Sequence, residues 1–184
     1  IGVLMGDFGA DVIKVEHPSA GDPMRLLGWF DGDVPLWWKV DARNKRCMTL
    51  DLKTPAGVEA VRRLAADADV VIENFRPGLM AELGLALDGL RAENPRLVTC
   101  SLTAFGDDTA EAAARPGYDI IVQALCGLMS VTGTPDAGPV KAGVAVLDVV
   151  TGLQATVGIL AALNERERTG EGRHVSVSLF DASV

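Results

Sequence analysis

Asp148 is the only acid between Val144 and Leu163, in a stretch reading VAVLDVVTGLQATVGILAAL. An ionised carboxylate beside an apolar face is costly unless something satisfies it. One role is structural: as N-cap of a helix starting at Val149, its oxygen would accept free backbone N–H groups. The other is chemical: a carboxylate nucleophile or general base at a helix start, close to an apolar pocket. The two roles are compatible, so both stand. Arg43-Asn44-Lys45-Arg46 is a second candidate, a compact basic cluster in a chain of net charge -8. It reads either as a solvated loop or as a contact for a phosphate-bearing ligand. Cys47, Cys100 and Cys126 lack ligand spacing and read as reduced core residues of a cytosolic, cytoplasmic protein. With only His17 and His174 besides, no metal centre is expected.

The elements that would position these residues follow from periodicity. Val149, Leu153, Val157, Leu160 and Asn164 step at helical intervals and predict one buried face. Asp148, Thr151, Gln154 and Thr156 interrupt the apolar run, which favours a core helix over a membrane span. Strands are expected at Asp11–Glu16, Cys47–Leu52, Asp69–Glu73, Leu97–Leu102 and His174–Leu179. Between them, Thr54-Pro55 opens a helix to about Ala68, with Thr54 as cap and Pro55 at the first position. A helix over Gly117–Thr132 is expected to turn Ile120, Ile121, Ala124, Leu125 and Leu128 inward. Residues 18–44 and Gly106–Arg115 read as irregular. Strand–helix alternation of this kind is the pattern of an α/β protein with an open, mostly parallel sheet and flanking helices. Ligands in such sheets bind beyond the carboxyl ends of the strands, here Glu16-His17, Leu52-Lys53, Asn74-Phe75-Arg76 and Thr103 to Gly106.

Composition narrows the function classes. A hydrophobic content of 48% with 23% charged residues is that of a soluble globular chain. The acidic balance argues against nucleic-acid binding. Ile1 has no initiator Met before it, and LFDASV stops as a new helix begins after Asp181, so both ends read as cut.

Six ordered segments carry a resemblance: GADVIKVE (Gly9–Glu16), RNKRCMTLDLKTPAG (Arg43–Gly57), DVVIENFRPG (Asp69–Gly78), NPRLV (Asn94–Val98), RPGYD (Arg115–Asp119) and ERTGEGRHVSVSLFDA (Glu167–Ala182). Together the chain resembles a class III CoA-transferase, of the formyl-CoA and carnitine type, in a superfamily that includes α-methylacyl-CoA racemase. The match covers the first half of a family member. The resemblance implies that residues 1–184 are part of a large Rossmann-like CoA-binding domain, with a smaller second domain outside this chain. It implies an interlocked homodimer, acyl-CoA and a small carboxylic acid as substrates, and no metal, membrane or nucleic-acid partner.

By the same resemblance the catalytic group falls on Asp148, which would take the acyl group as a mixed anhydride. Backbone N–H groups at a helix start or in a glycine loop would then stabilise the oxyanion. The coenzyme A contacts carry over to His17, to Leu50 and Lys53, to Asn74, Phe75 and Arg76, and to Pro116, Gly117, Tyr118 and Asp119. Glu82 departs from the pattern, standing where a basic contact is common. Tyr118 stands where the racemases have a His, and proton exchange at an α-carbon needs two groups able to trade it. Tyrosine, with an ordinary pKa of about 10, is a poor substitute, so transfer is favoured over racemisation. Two further alternatives are a nucleotide enzyme using Glu16 as a ribose-binding acid, and a non-catalytic CoA-binding half.

Overall fold

The computed structural model describes residues 1–184. Two compact units are distinguishable, residues 1–63 and 64–184, and the expected α/β alternation runs through both. In the first unit, α1 (Gly2–Asp7) leads into β1 (Val12–Glu16). A short 3₁₀ turn (Pro23–Leu26), a two-residue hairpin of β2 (Phe30–Asp31) and β3 (Val34–Pro35), and α2 (Leu36–Asp41) follow. The segment expected to be irregular is thus partly ordered, and Trp37-Trp38 lie on a helix. Trp38 takes the Arg25 guanidinium over its ring at 3.7 Å. β4 (Lys45–Thr49) pairs in parallel with β1, Val12 opposite Lys45 and Glu16 opposite Thr49. It begins two residues earlier than expected. α3 (Pro55–Asp67) opens as anticipated, Thr54 Oγ1 accepting the Gly57 N–H at 3.1 Å.

The second unit is built on a parallel three-stranded sheet of β5 (Val70–Glu73), β6 (Val98–Thr103) and β7 (His174–Ser178), with β6 central. β6 is almost wholly buried over Val98–Ser101, as a parallel strand covered on both faces should be. The connections carry α4 (Leu79–Glu82), α5 (Leu87–Glu93), α6 (Ala110–Ala114), which is helical where a loop was expected, α7 (Asp119–Leu125) and α8 (Val146–Thr169). α7 is half the expected length. Gly127 takes a left-handed φ of 86° and the chain continues as a 3₁₀ turn.

α8 packs on β6 and β7, but not through the expected face. Leu147, Thr151, Gly152, Ala155, Ile159, Ala162 and Arg166 are buried, while Val149, Leu153, Val157 and Leu160 are exposed. Small residues face the sheet because the backbones approach closely: a Cβ on Gly158 would lie 2.8 Å from Val175 Cγ1. Thr151 and Thr156 satisfy their buried hydroxyls on the carbonyls of Leu147 and Gly152, at 2.6 and 2.7 Å. The inward set of α7 differs in the same way: Asp119, Val122 and Gln123 are buried, and Ile120, Ile121, Ala124 and Leu125 are exposed. Cys100 is buried in β6, whereas Cys47 is exposed and not a core residue. α8 is also long and apolar enough to cross a membrane by length and composition alone.

Candidate active site

In the first unit the candidate residues gather where β1 and β4 end. The Leu50 N–H bonds the Glu16 carbonyl at 3.0 Å, which sets Leu50 beside the start of the His17 loop. His17 Nδ1 accepts the backbone N–H groups of Ser19 and Ala20, each at 3.3 Å. That use of Nδ1 leaves Nε2 as the ring's N–H donor, on an exposed residue. Lys53 is exposed in the turn before α3, its N–H held by Asp51 Oδ1 at 3.0 Å. Glu16 is buried and grips Arg25 with both oxygens, at 2.9 and 3.1 Å, while also accepting the Asp22 N–H. Arg25 holds its carboxyl below the usual range. An acid so engaged has no free oxygen for a ribose, which removes the nucleotide-enzyme alternative's one supporting residue. The basic cluster is likewise internally paired: Arg43 with Asp7 and Arg46 with Asp11, each at 2.5 Å, and Lys45 Nζ on the Asp41 carbonyl.

In the second unit, Asn74, Phe75 and Arg76 form the exposed turn after β5, at the carboxyl edge of the sheet. Glu73 Oε2 holds the Phe75 N–H at 2.9 Å. Arg76, free to meet an anion on residue type alone, is instead paired with Glu82 at 2.5 Å, both side chains well exposed. The departure noted at Glu82 thus acts directly on a candidate phosphate contact.

Pro116 to Asp119 enters α7. Gly117 passes against β6's outgoing loop so closely that a Cβ there would lie 2.6 Å from Ala104 Cβ and 2.7 Å from Phe105 Cε2. Tyr118 is 75% exposed. Asp119 is 8% exposed, and its carboxylate turns inward to the start of α8. Oδ2 accepts the backbone N–H groups of Leu147, at 2.7 Å, and of Asp148, at 3.1 Å. Oδ1 accepts Gln123 Nε2. Gln123 was not singled out by its sequence; the signal available was its i, i+4 spacing from Asp119. It is 1% exposed and its Oε1 accepts the Ala142 N–H at 2.8 Å. An apolar cluster of Val122, Leu147 and Leu179, with Phe105 and Val146 packed on it, underlies this junction.

Asp148 therefore does not cap its own helix. α8 begins three residues earlier than expected, at Val146, and Asp148 lies in its first turn. Its side chain is exposed, and its carboxylate makes no hydrogen bond or ion pair. Partial desolvation first, and then the charge of Asp119, hold its pKa above the ordinary carboxylate value. The N–H groups of α8's first turn, Val146 to Val149, are all taken and none is free for an oxyanion. Leu147 and Asp148 N–H serve Asp119, while those of Val146 and Val149 bond the carbonyls of Val144 and Ala145. No group of three or more His, Cys, Asp or Glu is arranged to hold a metal ion.

The chain thus combines an α/β fold with parallel strands and one unpartnered, pKa-raised carboxylate in the first turn of α8. The family model for CoA-transferase family III matches residues 1–184, and the chain belongs to that family. It is 46% identical to a succinate–glutarate CoA-transferase of Agrobacterium fabrum, over 98% of this chain and 46% of that protein. It is 40% identical to an acetyl-CoA:oxalate CoA-transferase of Acetobacter aceti, again over 98% of this chain and 46% of that one. A relative from Chloroflexus aurantiacus, 42% identical over 97% of this chain and 44% of its own length, is a succinyl-CoA–L-malate CoA-transferase beta subunit. Among solved structures, a CAIB/BAIF family protein from Brucella suis superposes with a TM-score of 0.92 at 44% identity, covering 99% of this chain and 49% of that one. The chain spans about half the length of the relatives it matches.

Proposed function

We propose that the full-length protein transfers coenzyme A between an acyl-CoA thioester and a carboxylic acid, with Asp148 as the acyl acceptor. The single observation that carries this reading is the state of Asp148: exposed, free of any partner and raised in pKa, at the end of a fixed helix. The carboxylate oxygen bonds to the thioester carbonyl carbon, the C–S bond breaks, and coenzyme A leaves as thiolate. The product is an acyl–aspartyl anhydride. The thiolate then attacks the aspartyl carbonyl, releasing the donor acid as carboxylate. The same steps in reverse with the acceptor carboxylate give the new thioester. Charge and atoms balance, and no redox partner or metal is needed. A carboxylate is a weak nucleophile in water, so holding it against the thioester supplies most of the advantage.

His17, Leu50, Lys53, Asn74, Phe75, Arg76, Pro116, Gly117 and Tyr118 are the proposed coenzyme A contacts, as part of a large CoA-binding domain, while Asp119, expected among them, turns its carboxylate into the start of α8. Lys53 and Arg76 suit phosphates by charge, and Nε2 of His17 as a neutral N–H donor. A cytoplasmic homodimer, interlocked as in the family and free of membrane or metal, belongs to the same proposal. Tyr118 in place of a His sets racemisation second.

Incubating the full-length protein with an acyl-CoA and hydroxylamine tests the central step. The expected result is a hydroxamate on Asp148, found by peptide mass, and loss of transfer in Asp148→Ala. Full transfer activity in Asp148→Ala would overturn the mechanism.

A further inference from the structure

We propose that Asp119 is a positioning residue for Asp148, fixing the nucleophile through the backbone of α8 and not through contact with coenzyme A. The inference rests on the acyl-acceptor reading above and adds to it the group that sets the acceptor's place. Asp119 is buried, and both its oxygens are used by the protein. One oxygen holds the consecutive N–H groups of Leu147 and Asp148, so the Asp148 backbone cannot shift without breaking a charge-assisted bond. Gln123 braces the other oxygen and also ties down Ala142, in the loop that feeds α8. The loop, the helix start and α7 are thereby locked to one carboxylate. A side chain committed in this way has no oxygen left for a ligand. Its effect is on where Asp148 sits.

The arrangement dictates its own test, made in the full-length protein. Asp119→Asn keeps the size of the side chain and one acceptor oxygen, but its amide NH2 meets the Gln123 NH2. Gln123 can relieve that clash only by flipping and presenting its NH2 to the Ala142 N–H. The single variant should lose ~10- to 100-fold in kcat, the scale of a small misplacement of a reacting group, with KM for acyl-CoA changed less than two-fold. Asp119→Asn combined with Gln123→Glu restores the donor–acceptor matches at residue 119, α8 and Ala142, and gives up only the long 3.4 Å bond from residue 123 to the Val144 carbonyl. The new amide oxygen takes the two N–H groups of α8, and the new carboxylate takes the amide NH2 and the Ala142 N–H. The double variant should recover most of the lost kcat. Hydrogen–deuterium exchange at the Leu147 and Asp148 amides should rise in Asp119→Asn and fall back in the double variant. Wild-type kcat in Asp119→Asn, or a raised KM with unchanged kcat, would overturn the proposal, the second result marking a ligand contact instead. The exchange measurement reads the positioning even if hydroxylamine leaves Asp148 unmodified, so the two readings fail separately.

Discussion

Replacing Gly117 by Ala tests how tightly the candidate site is built. The added methyl would lie 2.6 Å from Ala104 Cβ and 2.7 Å from Phe105 Cε2. Carbon atoms sit comfortably about 3.5–4 Å apart, so roughly 1 Å must be found somewhere. The loop after β6 cannot easily supply it, because Ala104 and Phe105 pack against Val122, Leu147 and Leu179. Phe105 is also held between Phe180, 6.0 Å away by ring centroid, and the Arg115 guanidinium at 4.4 Å. The displacement therefore falls on Tyr118 and Asp119, and through the Asp119 bonds on Leu147 and Asp148. Overpacking of this kind costs about 1–3 kcal/mol, which a urea titration would read as a lowered midpoint with unchanged slope. A shift of about 1 Å in a reacting group costs on the order of 10²-fold in rate, which steady-state transfer kinetics would read in kcat. A Gly117→Ala protein with wild-type midpoint and kcat would refute the claim that this segment couples rigidly to Asp148.

Asp148→Asn should stabilise the protein at neutral pH. The folded pKa of Asp148 is raised, so its ionisation opposes folding as pH climbs through that value, whereas below the unfolded pKa the cost vanishes. Thermal melts should therefore show the gain in Tm at pH 7 and none at pH 3. In the wild type, kcat/KM should fall as pH drops through a pKa above that of an ordinary Asp. Among ionisable groups on the elements packed against α8, Cys100 on β6, His174 on β7, Tyr118 before α7, Asp119 on α7 and Asp181 after β7, only Asp119 acts on Asp148; Asp181 is bound to Ser178. Glu82→Gln should free Arg76 and lower KM for acyl-CoA by about two- to five-fold, the scale of a surface ion pair, with the gain fading in high salt; an unchanged KM would show that Arg76 meets no phosphate. Asn94→Ala should cost about 2 kcal/mol by denaturation, since Asn94 Nδ2 serves the carbonyls of Ala65, Ala66 and Ala68 at 3.1–3.2 Å and Oδ1 takes the Arg96 N–H.

The alternation of strands and helices was legible because parallel strands and their crossover helices each write a distinct period. The α3 cap at Thr54-Pro55 was legible too, being a local signal. What α8 turns toward its sheet was not. Two stripes overlap on that helix, and hydrophobicity selects the larger residues, Val149, Leu153, Val157 and Leu160. Packing selects instead the small ones, Gly152, Ala155, Gly158 and Ala162, because close approach to β7 matters more than apolar area. β4 started early for a related reason. Lys45 and Arg46 disguise a strand edge whose register is set by pairing with β1. The basic cluster looked like an anion site because its partners, Asp7 and Asp11, lie some 35 residues away in sequence.

The same kind of distance hid the division of labour between two acids. Sequence offers Asp148 as cap or as nucleophile, and a helix start would ordinarily favour the first by stabilising negative charge. Had Asp148 bonded its own helix N–H groups, the result would be a stabilised and poorly nucleophilic carboxylate. Asp119 occupies those donors from 29 residues upstream. What reaches Asp148 is the opposite of a cap's environment: no hydrogen bond, partial desolvation and a like charge behind it, all of which favour giving up the charge. Bonding to a thioester carbon does that as fully as taking a proton. On the proposed mechanism the structural acid and the reactive acid are thus different residues, and the first takes the N–H groups that would otherwise engage the second.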